Sequence, residues 1–132
     1  MNLPFAAAGV LALAGAFVHG IAGEATVVTK LSPESLPSSR FGGSSTTKLM
    51  IRATWHITTI AFLVIGSALM ACAPDVSSQA CRGVGRVAAI SYSGFAALTI
   101  GLTLAKGPKG LLRHPAPLLF SLVATLAWWG AR

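Results

Sequence analysis

Residues 53–74 read ATWHITTIAFLVIGSALMACAP, 22 positions without a charged side chain. A helix needs about 20 apolar residues to cross roughly 30 Å of hydrocarbon, and this stretch meets that requirement unaided. Three more uncharged runs flank it: Leu3 to Gly23 with 21 residues, Val87 to Ala105 with 19, and His114 to Ala131 with 18. The last opens with His-Pro-Ala-Pro, and prolines belong in a first helical turn, where a missing N–H costs nothing. The expected fold is therefore all-α: four transmembrane helices over about residues 3–23, 50–73, 86–105 and 114–131, packed as a bundle in a single membrane domain spanning residues 1–132. The shortest would stand nearly upright or meet thinned bilayer.

Composition agrees with this reading. Of 132 residues, 54% are hydrophobic and 10% charged, whereas soluble domains carry about 25% charged residues. The net charge of +7 would suggest nucleic acid in a soluble chain, but here the positions of the charges matter more than their sum. Cytoplasmic loops hold the excess of Lys and Arg. The loops after the first and third helices carry Lys30, Arg40, Lys48, Arg52, Lys106, Lys109 and Arg113, against Arg82, Arg86 and Arg132 on the opposite side. Both termini are thereby assigned to the outer, periplasmic face, and nucleic acid is not expected as a partner. The first segment lacks the basic n-region of a secretory signal, since the first Lys or Arg is Lys30, so it reads as a retained helix.

Both cysteines fall in CAPDVSSQAC, residues 72–81, on the assigned outer side, where a disulfide is permitted. A Cys72–Cys81 bridge would tie the second helix to the third, at about 2–3 kcal/mol for a loop this short; two free thiols are the alternative. Residues 30–48, KLSPESLPSSRFGGSSTTK, are dense in Ser, Thr, Pro and Gly and read as a flexible cytoplasmic loop. The GGSSTTK end lacks the spacing and the preceding strand of a phosphate-binding loop. The basic turn from Lys106 to Arg113 is suited to anionic headgroups, at about 1 kcal/mol per basic side chain.

In lipid, helices associate through small residues that let backbones approach. Ala8, Ala12, Ala16 and Gly20 stand four apart on the first helix, and Ser93, Ala97 and Gly101 do so on the third. Both rows are expected to pack against helices, within the chain or on an external partner. Trp55 near one end of the second helix and Trp128 with Trp129 at the end of the fourth fit interfacial belts.

Ionisable groups inside a membrane are costly and are functional candidates by default. His19, His56 and His114 all fall on the cytoplasmic side of this topology. Arg52, His56 and Thr59 share one helical face, whereas at 100° per residue Glu24 lies about 140° round from His19. Four readings compete. The histidines could satisfy one another, Glu24 and the surroundings of Arg52 in a structural role. His19 and His56 could ligate a b-type haem or hold a chlorophyll-like pigment. His19, Glu24, His56 and His114 could form a metal site by tertiary assembly. A proton relay is the fourth, weakened by the lack of ionisable residues near the midplane. No nucleophile-base arrangement of a hydrolase is recognisable, so an enzyme is not expected.

Val18-His19-Gly20, then Gly23-Glu24, then Arg52-Ala53-Thr54-Trp55-His56-Ile57-Thr58-Thr59 resembles a group of small four-helix inner-membrane proteins of bacteria without assigned function. They share a His-to-Glu step ending helix 1 and an Arg-x-x-Trp-His opening to helix 2. The resemblance covers the first half of the chain and implies residence in the bacterial inner membrane and pairing of helices 1 and 2, with no reaction attached. The functional expectation is a small accessory subunit packed against a larger membrane complex, or a homo-oligomer, in contact with anionic lipid. A haem-, pigment- or metal-binding protein is the alternative.

Overall fold

A computed structural model describes residues 1–105, 107, 109 and 114–132. It is all-α among those residues. Helix α1 spans Leu3–Phe17, followed by π-helical turns at Val18–Ala22 and Glu24–Val28 and a short 3-10 turn at Pro33–Ser35. Helices α2 (Gly43–Cys72), α3 (Gln79–Leu104) and α4 (Ala116–Gly130) complete the chain. Three helical stretches, Leu3–Val28, Gly43–Cys72 and Gln79–Leu104, are long and apolar enough to cross a membrane. The fourth is shorter than expected: its 15 residues rise only about 22 Å at 1.5 Å each. Lys106 and Arg113, which bound the expected basic turn, lie outside the described residues.

Charge-free runs mark hydrocarbon, not helix ends, and the first three helices each overshoot theirs at one end. The first continues through Val28 rather than ending at Gly23, and the third begins at Gln79 rather than near 86. The second begins at Gly43, seven residues before the expected start, so the supposed flexible loop of 30–48 is helical over its last six positions. Gly42 and Gly43 take positive φ of 131° and 44°, which residues with a Cβ rarely adopt, and this turns the chain into α2. Thr47 Oγ1 then donates to the Pro37 carbonyl at 2.8 Å, tying the connection to the first turn of the helix.

The chain divides into two compact units, Met1–Leu13 with Val64–Arg132, and Ala14–Leu63. In the first, α3 packs against α4, burying Ala88, Ala89, Tyr92 and Ala96 of one against Phe120, Val123, Ala124 and Ala127 of the other. Phe5 is fully buried, and a Cβ added at Gly85 or Gly130 would overlap its ring. Asn2 caps α1: its Oδ1 accepts from Phe5 N–H at 2.9 Å, while its Nδ2 donates to the Gly130 carbonyl at 2.9 Å. Gly9 and Gly66 meet backbone to backbone, for a Cβ on either would stand 3.0–3.2 Å from the other's carbonyl oxygen.

Cys72 and Cys81 stand at disulfide distance and are joined, with Cα atoms 5.3 Å apart. Ser78 caps α3 by accepting from Cys81 N–H at 3.1 Å. Between them Asp75 Oδ1 accepts from Ser77 N–H at 2.8 Å. Hydrogen bonds from the Ser77 hydroxyl and backbone hold that carboxyl below its ordinary pKa.

The two small-residue rows fare differently. Ala8, Ala12 and Ala16 are buried within the chain, and a Cβ at Gly20 would meet Thr59 at 2.7 Å. That row is therefore spent inside the protein and presents no face to an external helix. On α3 the packed face is Gly85, Ala88, Ala89, Tyr92 and Ala96 instead of the expected row. Ser93 accepts from the Trp128 indole N–H at 3.3 Å, but Ala97 and Gly101 are exposed. The large aromatics Tyr92, Phe95 and Phe120, in mutual ring contact, draw α4 to the neighbouring face.

Candidate functional site

The unit Ala14–Leu63 collects the polar residues of the helix interior. A π-helical turn hydrogen-bonds from i to i+5, as Gly23 N–H to the Val18 carbonyl and Thr29 N–H to the Glu24 carbonyl do at 3.0 Å for the latter. The wider turn reduces the angle between residues five apart, so Glu24 is carried round toward the side of His19 instead of lying 140° away. Opposite them α2 presents Arg52, Trp55, His56, Thr59 and Phe62, an i, i+3, i+4, i+7, i+10 stripe.

Two glycines let α2 come close. A Cβ at Gly20 would press on Thr59, and one at Gly23 would overlap the Trp55 indole. Trp55 Nε1 uses this access to donate to the His19 carbonyl at 2.8 Å. Its ring stacks on the His19 imidazole, centroids 4.2 Å apart and planes 9° from parallel, while Phe62 meets the same imidazole edge-on at 5.5 Å.

Glu24 stands in ion-pair range of two side chains, Oε1 2.8 Å from the Arg52 guanidinium and Oε2 3.2 Å from His56 Nε2. Its side chain is only 15% exposed, against 56% and 42% for its partners. A lone buried carboxylate is costly in such surroundings, and the Arg52 guanidinium within ion-pair distance offsets that cost. The Glu24–Arg52 pair is neutral in sum, which lets ionisable groups occupy a membrane-length helix.

Thr59 Oγ1 donates to the Trp55 carbonyl at 3.2 Å, so it accepts from His19 Nδ1–H at 2.9 Å. The lone pair of His19 is thereby left on Nε2.

The structure thus joins His19, Glu24, Arg52, His56 and Thr59. It adds Trp55, which belt placement had accounted for, and Gly20 and Gly23, whose three-residue spacing opposite Trp55 and Thr59 was the available signal. His114 belongs to the other unit, where its Nδ1 accepts from Ala116 N–H at 3.2 Å. Among the described residues no three His, Cys, Asp or Glu side chains gather as metal ligands. A haem pair on His19 and His56 would require His56 to release Glu24. Chemically, the cluster is a polar clasp between the 18–28 segment and α2.

No family model, curated protein or solved structure matches this chain.

Proposed function

We propose that the protein is a small integral-membrane accessory subunit, packed in the bilayer against a larger membrane protein. The observation that carries this reading is the outer face of α3. Gly94 and Gly101 have nothing within 4 Å of a Cβ position, and Ala97 between them is exposed. Small residues on a membrane helix face are the usual means of close helix contact. The Ala8–Gly20 row, used internally, gives the proposal no support. In this reading the polar clasp is structural and holds the first two helices in the shape the partner meets. By the distribution of basic residues, both termini face the periplasm and the membrane is the bacterial inner one.

The test is purification from native membranes in mild detergent. A co-eluting chain is expected, and an Ala97→Leu/Gly101→Leu double variant that still folds should lose it. A wild-type protein that elutes as a lone monomer sinks the proposal, whereas self-association alone would replace the larger partner with a second copy.

A further inference from the structure

Within Ala14–Leu63, residues of the connection between α1 and α2 and the first turns of α2 border an open groove of about 480 Å³, a volume typical of small-molecule sites. Met50, Ile51 and the Trp55 indole supply its apolar walls, and His19, Ser39 and Thr54 supply polar atoms. No carboxylate, guanidinium or ammonium group lines it among the described residues. A charged ligand would therefore find no counter-charge there.

The polar atoms are biased toward acceptance. Thr54 has its hydroxyl hydrogen on the Met50 carbonyl at 3.0 Å, and Thr58, also on the wall, has its own on the Thr54 carbonyl at 3.1 Å. Both offer only lone pairs. His19 has Nδ1–H on Thr59, which leaves Nε2 as an acceptor. Ser39 Oγ is buried and has no partner among the described residues. A ligand that satisfies this lining must bring hydroxyl hydrogens, carry no charge, and lay apolar surface on Met50, Ile51 and Trp55.

We infer that the groove binds an uncharged, hydroxyl-bearing headgroup carried on an apolar tail, its hydroxyl donating to His19 Nε2 and its oxygens within reach of Ser39. A reduced quinone ring and a diacylglycerol both present this chemistry, and both partition into the membrane whose length the neighbouring helices match. The inference is independent of the accessory-subunit reading, since it concerns a different surface.

The test uses the full chain, labelled with ¹⁵N-histidine, in phosphatidylcholine nanodiscs, since sugar-headed detergents would compete. It is titrated anaerobically with a decyl-tailed benzoquinol or with dioctanoylglycerol. The His19 Nε2 resonance should move saturably with at least one probe, and which one moves it identifies the source. Ser39→Leu and Thr54→Phe fill the groove without replacing any member of the Thr59–His19–Trp55 set, and each should weaken binding about tenfold or more. If Ser39→Leu does not fold, Thr54→Phe decides alone. An Nε2 resonance unmoved by both probes overturns the inference. So does an equal response to dioctanoyl phosphatidic acid, or folded groove-filling variants that bind as the wild type does.

Discussion

In the unit of Met1–Leu13 and Val64–Arg132, helices meet through a buried Phe5 ring set among Gly85, Gly130 and Ala131, and through the bare backbones of Gly9 and Gly66. In Ala14–Leu63 the 18–28 segment meets α2 through Glu24, Arg52, His56, His19 and Thr59, with glycines admitting Trp55. The first contact is steric and fails when shape changes. The second is a set of ion pairs and hydrogen bonds, and it fails when one partner is removed and another is left unpaired. Glycine serves both, by letting a ring approach backbone in one and an indole N–H reach a carbonyl in the other.

That contrast can be broken most forcefully at Phe5. Phe5→Ala should cost about 3 kcal/mol or more, as for other buried aromatic truncations, read as a lower unfolding midpoint in detergent. Gly85→Ala should destabilise the wild type and cost less in the Phe5→Ala background, since the two share one space while Ala131 still crowds the added Cβ. Additive effects would show that shape is not what joins them. Next in size, reducing the Cys72–Cys81 bridge should remove about 2–3 kcal/mol, and an unchanged midpoint under reductant would remove it from the accounting of this unit.

In the polar unit, Glu24→Gln leaves Arg52 without its counter-charge. Because Arg52 is more than half exposed, the expected loss is about 1 kcal/mol. The Glu24→Gln/Arg52→Gln pair should recover part of it, and a double-mutant cycle that finds no coupling would mean the two charges act separately. As a structural clasp this unit gives the purified protein no visible absorption band. A band lost in His19→Ala would sharpen the comparison differently, by making the polar unit a cofactor site. The smallest effect belongs to Asp75. Its carboxyl, held low by Ser77, adds stability above the ordinary Asp range that fades as pH falls through the lowered value. An Asp75 titration by NMR at or above the ordinary value would contradict the loop geometry.

Much of this was legible from residue type and spacing. Arg52, His56 and Thr59 share a face by helical arithmetic, and all three contact the 18–28 segment. The Glu24 partner was harder to read, because α-helical spacing set it 140° from His19 and only the π turns bring it round. Spacing alone did not say which α3 face packs inside the chain: Ser93, Ala97 and Gly101 satisfy the small-residue rule, yet the bulk of Tyr92, Phe95 and Phe120 sets the internally packed face beside them. Asn2, Gly9 and Gly66 gave no signal, since their roles depend on residues distant in the chain.

Length, charge-free runs and composition were sufficient for an all-α chain with membrane-length helices, because the bilayer's thickness and dielectric act on each segment separately. Which small residues face inward, which tautomer His19 holds and whom Glu24 pairs with were decided by the tertiary structure alone. Those are properties of pairs of segments, set by helix register and side-chain volume, and no single segment carries them.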